Sequence, residues 1–449
     1  MIFCKQDKNV TRKLLAGVGR KGEKRGYIDI SGNVVIPFEY EVTGEFHCGR
    51  AQVCQNGKRG FIDESGNLVI PCIYDTVWDF DIRNGYAMVC KNGKYGYIDR
   101  DGTEILKCIY HHVDHISEEG IVKVTDDGVN YYIDLSGKVI FSSIGQRKLI
   151  KEYLDYYEIV MEGDQIECEG DFHEGMAIIC FFNEDVFESQ YGYINAQGNI
   201  VVPCMYSEAG SFKDGIARVR ISSEFPIAGG DQRMSPGKCG YIDKSGEIVI
   251  PLCYDDLGDF HEDLAAAAIK GKWGFINRVG EVVIPFEYDG AKFFSEGLVA
   301  VKREKKWGFI DKYGRNVIPF EYDDLAYGKE RFSNGVVIVK KGKEYGVIDK
   351  NGAQIIPFAY QYVSDGGEGF FTITENNKSG FIDRDGNVIC PCRYDHVSEF
   401  HNGFATVSIK TGGGLFDSIT GYINTKGEEV IPCQYYVAGN FNYTDDLSC

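Results

Sequence analysis

The sequence predicts an all-β fold built from about eleven tandem repeats, each a three-stranded antiparallel unit. Three observations lead to this prediction. One cassette of about 34 residues recurs along the chain, glycine accounts for 55 of 449 residues without a collagen-like period, and short runs of alternating apolar and polar residues lie between turn signals. Together they indicate many short strands joined by tight turns.

The cassette begins with glycine, an aromatic residue, isoleucine and an acidic or amide residue, as in Gly60-Phe61-Ile62-Asp63. Proline usually follows eleven residues after the glycine, tyrosine three residues later, and phenylalanine six residues after most of the tyrosines. Nine of the eleven prolines occupy this one position. The leading glycines are Gly26, Gly60, Gly96, Gly192, Gly240, Gly274, Gly308, Gly346, Gly380 and Gly421. Only the stretch from phenylalanine to the next glycine varies in length, which is typical of surface loops between packed units.

The second copy shows how the strands are derived. Arg50–Cys54, Lys58–Asp63 and Asn67–Ile70 alternate as strands do, and the last of them ends at Pro71, which cannot donate to a sheet ladder. Asp63-Glu64-Ser65-Gly66 is predicted to be a turn whose glycine has a positive φ, as are the turns at Gly102, Gly246 and Gly314. A fourth short strand is indicated around Thr76–Trp78.

A single meander leaves one face exposed, so neighbouring repeats are expected to cover one another and to stack tyrosine and phenylalanine along the array. We predict an open, superhelical, solenoid-like arrangement. The alternative is a seven-bladed β-propeller made by the last seven repeats. The predicted organisation is repeats 1–4 in 1–141, with a truncated fourth copy, an insertion with a short helix in 142–171, repeats 5–11 in 172–443, and a tail in 444–449.

The cassette resembles the WG-repeat family of bacterial proteins. The Trp-Gly pair itself is present in Trp273-Gly274 and Trp307-Gly308, and the aromatic-Ile-Asp, Val/Ile-Ile-Pro and Tyr-Asp elements recur in most copies. The resemblance covers roughly residues 17–443. It implies a β-rich array with a binding or scaffolding role, and it brings no catalytic residues with it.

Charge and hydropathy narrow the classes of partner. The net charge of −19 disfavours a nucleic-acid partner, since phosphates would be repelled. No apolar run reaches the length of a membrane span, and the start of the sequence lacks an apolar export segment, so we expect a cytoplasmic protein without membrane contact.

No cofactor, metal or catalytic site is predicted. The cysteines that follow the proline position replace phenylalanine in other copies, which favours reduced core residues over ligands. These are Cys72, Cys108, Cys204, Cys392 and Cys433. His111 and His115 would share one face of a strand and form the only local pattern suited to a metal, an alternative left open here. Nucleophile-elbow and metalloprotease motifs do not occur, so an enzyme is not expected.

The predicted function is a non-enzymatic scaffold for protein–protein interaction. The alternative is carbohydrate or cell-surface binding through repeated Tyr-Asp pairs, with a glycan as partner. Apolar residues in the variable loops 181–190, 221–238 and 411–420 predict a partner-binding edge. Its residues are Phe181, Phe182, Phe187, Phe225, Ile227, Leu415 and Phe416.

Overall fold

A computed structural model describes residues 13–142, 166–183, 188–221, 237–412 and 417–443. The chain divides into two compact units, which are described separately. Unit 1 comprises Met1–Ile109 and Ile355–Cys449, and unit 2 comprises Tyr110–Gln354. The described residues of both units form β-strands and turns, which confirms the all-β prediction.

Unit 1 contains the first and last strands of the chain. Its strands are β1 (Leu14–Gly19), β2 (Arg25–Ile28), β3 (Val34–Tyr40), β4 (Val42–His47), β5 (Arg50–Gln55), β6 (Lys58–Ile62), β7 (Leu68–Tyr74), β8 (Thr76–Val77), β9 (Ala87–Lys91), β10 (Lys94–Ile98), β11 (Glu104–Tyr110), β35 (Gln354–Tyr360), β36 (Tyr362–Asp365), β37 (Phe370–Glu375), β38 (Lys378–Asp383), β39 (Val388–Tyr394), β40 (His396–Val397), β41 (Phe404–Lys410), β42 (Ser418–Asn424), β43 (Glu429–Tyr435), β44 (Val437–Ala438) and β45 (Asn442–Tyr443). The chain passes out of unit 1 at the end of β11 and returns to it within β35.

Unit 2 contains the strands between them. They are β12 (His112–Ile116), β13 (Ile121–Asp126), β14 (Val129–Asp134), β15 (Val139–Ser142), β16 (Ile166–His173), β17 (Met176–Asn183), β18 (Glu188–Asn195), β19 (Ile200–Tyr206), β20 (Glu208–Ala209), β21 (Ile216–Arg220), β22 (Cys239–Asp243), β23 (Ile248–Tyr254), β24 (Asp256–Leu257), β25 (Leu264–Ile269), β26 (Lys272–Asn277), β27 (Val282–Tyr288), β28 (Gly290–Ala291), β29 (Leu298–Arg303), β30 (Lys306–Asp311), β31 (Asn316–Tyr322), β32 (Asp324–Leu325), β33 (Val336–Lys341) and β34 (Glu344–Asp349).

In the described part of the chain, the strands form eleven small antiparallel sheets, most of them with four strands in sequential order, such as β24-β25-β26-β27. This is the topology of a β-propeller blade. The repeat unit therefore has four strands rather than the three predicted. The short strand expected around Thr76–Trp78 exists as β8, but it is the first strand of the next sheet and not the last strand of its own.

The third and fourth strands of each sheet meet in the turn that the sequence predicts. In the second sheet, Gly66 N–H donates to the Asp63 carbonyl at 3.0 Å, and the Asp63 side chain accepts the N–H groups of Ser65 and Asn67 at 2.9 Å. The φ of Gly66 is 85°, and Gly102, Gly246 and Gly314 have φ values of 84°, 88° and 78°. The predicted glycine turns are confirmed.

A β-bulge explains both the leading glycine and the proline of the cassette. In β6 and β7, Arg59 pairs with Tyr74 and Phe61 with Ile70, so Pro71, Cys72 and Ile73 lie opposite Gly60 alone. A Cβ on Gly60 would lie 2.3 Å from the Ile70 carbonyl oxygen. Proline is tolerated because the bulge lies in the outermost strand, which needs no donor there.

The core lies between consecutive sheets. One cluster in unit 2 combines Phe275, Ile284 and Tyr288 of one sheet with Phe294 and Val301 associated with the next. The first aromatic residue of a cassette contacts the phenylalanine that follows it, as in Phe275–Phe294, with ring centroids 5.0 Å apart. Each cassette therefore supplies the last two strands of one sheet and the first two of the next.

The first and last repeats share a sheet in unit 1. β1 pairs antiparallel with β2, and also with β44 through Val18–Ala438 and Gly19–Val437 and with β45 through Leu14–Tyr443. An open array keeps its terminal repeats apart, so the open, solenoid-like prediction is wrong on this point. The alternative that only the last seven repeats form blades is also corrected, since β1–β3 pack with Tyr422, Tyr435 and Phe441.

The predicted insertion 142–171 is only partly described. Residues 143–165, which include the predicted helix, lie outside the described residues. Residues 166–171 belong to β16, so the sheet begins earlier than the predicted resumption at Phe172. The fourth copy, although it lacks the proline, still provides a last strand, β15. The rest of the predicted domain organisation stays a prediction.

Candidate binding sites

The predicted binding loops connect the second and third strands of their sheets. Phe181 and Phe182 are in β17, where their backbones pair with Gln190 and Ser189 of β18, so this part of the predicted loop is a strand hairpin. The other five predicted residues lie outside the described residues: Phe187, Phe225, Ile227, Leu415 and Phe416. Their role in partner binding stays a prediction.

The Tyr-Asp pairs do not form exposed rows. The tyrosines are between 1% and 5% exposed, and burial raises the pKa of Tyr322 and Tyr394 to about 12. The five tyrosines are Tyr74, Tyr254, Tyr288, Tyr322 and Tyr394. Stacking on a sugar requires an exposed ring face, so the observation behind the carbohydrate alternative is contradicted.

The aspartates of these pairs fasten the next hairpin. Asp289 accepts hydrogen bonds from Lys272 Nζ at 2.6 Å and from the Glu304 N–H at 2.9 Å, and these contacts lower the pKa of its carboxyl group. We call this three-part contact the Tyr-Asp latch. The same lysine–aspartate pair recurs at Lys58–Asp75, Lys238–Asp255, Lys306–Asp323 and Lys378–Asp395.

The cysteines after the proline position are free but only partly buried. Cys72 lies in the bulge, and Cys108, Cys204, Cys392 and Cys433 hold the same position. Burial raises the pKa of the Cys108 thiol to about 11. The prediction of reduced thiols agrees with this, whereas the prediction of full burial is wrong, because these side chains pack against the core clusters and remain partly exposed. Cys48 does not follow a proline; it lies two residues after the cassette phenylalanine Phe46 and is disulfide-bonded.

His111 lies beside two aspartates at the β13–β14 turn. Its Nδ1 is 2.9 Å from Asp126 Oδ1 and accepts the Asp127 N–H at 3.3 Å. Candidate ligand atoms of the three residues lie within 4.8 Å of one another, and His115 is not part of this group. His111 replaces the aspartate of the Tyr-Asp latch and contacts the same hairpin. The latch explains this geometry without a metal.

Unit 2 exposes large apolar side chains on the fourth strands of three consecutive sheets and on the turns before them, as unit 1 does at Val34, Val35 and Leu68. These strands, β23, β27 and β31, are neighbours, since the Tyr254 and Phe286 ring centroids lie 6.2 Å apart and those of Tyr288 and Phe320 6.3 Å. We call the exposed set the outer apolar row. It comprises Val249, Val279, Val282, Val283, Tyr313 and Val317.

A cavity of about 510 Å³ opens in unit 2 among the sheets β16–β19, β20–β23 and β24–β27. Phe212, Tyr241 and Phe260 form its apolar floor. Its charged lining consists of Lys213, Arg218, Arg278, Asp214 and Asp259, with His173 beside them. Arg218 donates to the Leu257 carbonyl at 3.0 Å.

The cavity lies where a repeated contact between adjacent sheets changes. In three other copies the residue two positions after the phenylalanine is a glutamate that binds the next turn, whereas Cys48, Ile82, Asn334 and Asn402 occupy this position in others. Glu174 accepts the N–H groups of Asp214 and Gly215, and Glu262 accepts the Gly297 N–H at 2.9 Å. We call this contact the glutamate link. Glu296 makes it with Gly335 at 2.9 Å.

At the cavity, Asp214 replaces the linking glutamate and Asp263 replaces the turn glycine, with a φ of 67° that glycine adopts more readily. Arg278 joins the two aspartates instead. Its Nη2 lies 2.9 Å from Asp214 Oδ2 and its Nε 3.0 Å from Asp263 Oδ1, with the guanidinium 5.2 Å from the Phe260 ring centroid. Sequence reasoning missed this site. The aspartate in place of a turn glycine was the signal that would have marked it.

The sequence repeats match a known family. The family model described as "WG containing repeat" matches ten segments that together span well over half of the chain. The segments are 26–58, 60–95, 95–129, 191–223, 240–273, 273–307, 307–345, 345–378, 380–410 and 421–447. The chain belongs to the WG-repeat family. In this WG-repeat protein, the cavity lies within the matched segments 191–223 and 240–273 and extends to His173 and Arg278.

No curated protein matches the sequence of this WG-repeat protein. Among solved structures, an eukaryotic initiation factor aligns at 9% identity and a TM-score of 0.40, covering 96% of this chain and 98% of its own. PorZ of Porphyromonas gingivalis, described as a surface component of the type-IX secretion system, aligns at 13% identity and a TM-score of 0.21, with 94% and 64% covered. Hsv2p of Kluyveromyces lactis aligns at 9% identity and a TM-score of 0.26, covering 66% of this chain and 91% of its own. These scores carry no argument about function.

Within the described residues, no helix has the length and apolar character needed to cross a membrane.

Proposed function

We propose that this WG-repeat protein is a non-enzymatic scaffold that binds protein partners, and that the outer apolar row of unit 2 is one of its contact surfaces. The observation that carries the proposal is the exposure of this row. Val279 and Tyr313 are 69% and 66% exposed, and Val282 is 52% exposed. Exposed apolar groups on neighbouring strands are typical of sites of protein interaction.

The backbone of these strands hinders pairing with a strand of another protein, so a partner would contact the row through its side chains. The row lies on edge strands, but each carries a proline and a bulge, which hinder another strand from adding to the sheet. Arg303 stacks on the Tyr288 and Phe320 rings at 5.1 Å and 5.0 Å and pairs with Glu287. An apolar centre with a charged rim is the usual composition of a protein interface.

The scaffold class also draws support from the sequence, which lacks the common catalytic motifs. Eleven described cysteines are free, which favours the reducing cytoplasm, although Cys48 is disulfide-bonded. A protein partner in the cytoplasm, with no nucleic acid or membrane involved, is therefore the proposal.

The test is affinity capture from the native cell with the wild-type protein and with a Val282→Asp/Val283→Asp variant. We expect the variant to retain its thermal unfolding midpoint and to lose at least one captured protein, because both side chains are exposed. A Lys343→Gln variant, changed at an exposed residue off the row, serves as the matched control. Identical captured proteins for all three would refute a role for the row.

The loop residues predicted from the sequence form a second, separate part of this proposal. Replacing 411–417 by a short Asn-Gly hairpin, which spares β42 from Ser418 onward, should leave the fold intact and weaken partner capture. If capture is undiminished, these loops are not contact surfaces, whatever the outcome for the outer apolar row.

A further inference from the structure

We propose that a disulfide bond between Cys48 and Cys449 ties the segment after β45 to the β4–β5 turn, and that this redox-sensitive tether strengthens the closing sheet of unit 1. This inference does not depend on the proposed scaffold function. It rests on the disulfide at Cys48, on the position of the β4–β5 turn beside the closing strands, and on the length of chain that follows Tyr443.

Cys48 differs in redox state from the other cysteines for which the structure gives one. Eleven described cysteines are free thiols, whereas Cys48 is disulfide-bonded and 2% exposed. The sequence contains fifteen cysteines, which leaves Cys4, Cys168 and Cys449 as candidate partners. Cys168 belongs to β16 of unit 2, whereas Cys4 and Cys449 belong to unit 1, as Cys48 does. Within its own unit, Cys48 therefore has two candidate partners.

The β4–β5 turn lies beside the strands that close unit 1. Cys48 is in this turn, with a φ of 51°. In β4, Glu45 Oε1 accepts the Asn440 N–H at 3.1 Å, which joins β4 to the segment between β44 and β45. Leu15 of β1 and Phe46 of β4 belong to one buried cluster. The closing sheet and the sheet that carries Cys48 are therefore neighbours.

The glutamate link shows which part of the closing sheet lies next to this turn. In that contact, the residue two positions after the cassette phenylalanine reaches the turn of the following sheet, as Glu262 reaches Gly297. Tyr443 lies two positions after Phe441, and the following sheet begins with β4. By this equivalence, Tyr443 is adjacent to the turn that carries Cys48.

The chain after Tyr443 is long enough to reach Cys48. Cys449 follows Tyr443 by six residues, and an extended segment of that length spans up to about 20 Å. The competing partner, Cys4, precedes Leu14 by ten residues, and Leu14 pairs with Tyr443. The shorter connection costs less conformational entropy to order, which favours Cys449.

The bond forms by thiol–disulfide exchange with a small disulfide such as oxidised glutathione. The thiolate of one cysteine attacks the small disulfide and releases one thiol. The thiolate of the other cysteine then attacks the protein sulfur of the mixed disulfide and releases the second thiol. The two protein thiols lose two electrons and two protons in total, and the small disulfide takes up both. An excess of reduced glutathione reverses the reaction.

The tether acts on the pairing of β1 with β44 and β45. That pairing extends over Val18–Ala438 and Gly19–Val437 in β44, and over Leu14–Tyr443 and Leu15–Asn442 in β45. Short terminal strands of this kind detach more readily than the core strands of a domain. A covalent link just beyond β45 restricts the detached chain and so favours the closed sheet.

The test compares the full chain after oxidation with glutathione disulfide and after reduction with a phosphine. Proteolysis without reductant, followed by mass spectrometry, should recover a peptide pair that joins Cys48 to Cys449. Reduction should lower the thermal unfolding midpoint by at least about 3 °C. It should also speed amide hydrogen exchange in β44 and β45 by at least about tenfold, with exchange in β25 and β26 of unit 2 unchanged.

Two serine variants make the assignment specific. Cys449→Ser should show the lower midpoint and the faster exchange with or without reductant. Cys253→Ser, changed at an exposed free thiol, is the matched control and should respond to reductant as the wild type does.

Three results would overturn the proposal. One is recovery of Cys48 as a free thiol from the oxidised protein, and another is a wild-type midpoint that reductant leaves unchanged. The third is a response to reductant that persists in Cys449→Ser. If Cys4→Ser abolishes the response instead, the bond belongs to the segment before β1 and the assignment to Cys449 is wrong.

Discussion

Single residues in this fold are restricted mainly by the backbone of a neighbouring strand. The leading glycine of the cassette is required by close approach and not by its φ, because the bulge brings a carbonyl oxygen to where its Cβ would be. The turn glycines, by contrast, are required by a positive φ. The sequence predicted the second requirement and missed the first, since a bulge depends on the pairing partner.

Gly60→Ala should destabilise unit 1 by about 2–4 kcal/mol, because the added Cβ would meet the Ile70 oxygen at 2.3 Å and Pro71 at 2.7 Å. Gly258→Ala is the control, since its Cβ would meet nothing closer than the Ala266 oxygen at 3.6 Å. Urea unfolding of both variants checks the prediction. Equal stability of the two would show that the bulge relaxes freely.

Thiol labelling of the native protein should be faster at Cys253, which is exposed, than at Cys108, which is partly buried. The thiolate is the reactive form, and burial raises the Cys108 pKa to about 11, so few Cys108 thiols are ionised near neutral pH. Mass spectrometry of timed samples gives the order. Labelling of Cys108 as fast as that of Cys253 would refute the packing interpretation.

At the scale of the element, the hairpin between the second and third strands of a sheet is held by the aspartate that follows the fourth strand of the preceding sheet, as Asp289 holds the Glu304 N–H. The Tyr-Asp latch was visible in the sequence as a repeated pair, but the lysine and the backbone N–H that bind the aspartate were not identified. Its lysine lies seventeen residues before the aspartate, as in Lys378 and Asp395. The two side chains meet because β38 pairs with β39 and the chain then crosses to the next sheet. Spacing alone could not show that contact.

Asp395→Ala should lower the stability of unit 1 by about 1–2 kcal/mol, because the carboxylate is 14% exposed and accepts both Lys378 Nζ and the Lys410 N–H. Asp395→Asn keeps an acceptor for the N–H and should cost less. Denaturant titrations at neutral pH measure both. A larger loss for the asparagine variant than for alanine would contradict the latch.

The latch also predicts a dependence on pH. The Lys378 ion pair and the Lys410 N–H lower the folded-state pKa of Asp395. Its stabilisation is therefore complete above the unfolded pKa of about 4 and is lost as the pH falls through the lowered folded value. The stability difference between wild type and Asp395→Asn should narrow from pH 6 toward pH 2. A difference that is constant with pH would show that the carboxylate charge contributes nothing.

At the scale of the whole molecule, the ends of the chain contribute to one sheet. Each cassette contributes half of two sheets, so the first and last copies are each left with an incomplete sheet. Pairing of β1 with β44 and β45 completes it. The open array predicted from unequal repeats overlooked this offset between the sequence repeat and the structural repeat.

Removing residues 437–449 should destabilise unit 1 more than Phe441→Ala, for which we expect a loss of about 3–5 kcal/mol. Phe441 is 1% exposed and packs on Tyr422 and Phe404, at 4.7 Å and 5.0 Å. The truncation also bares the edge of β1, so association is expected in sedimentation experiments. A truncated protein that stays monomeric with a wild-type unfolding midpoint would show that the closure is dispensable.

The sequence by itself determined the all-β class, the repeat, the turns at Gly66 and its counterparts, and the buried role of most cassette tyrosines. These are local properties, set by φ preferences and by the alternation of side chains within a few residues. Only the tertiary structure decided which four strands form a sheet, that β1 meets β44, and that Lys213 and Arg278 line one cavity. Those outcomes depend on contacts between residues far apart in the chain, whose geometry is fixed only when neighbouring sheets pack.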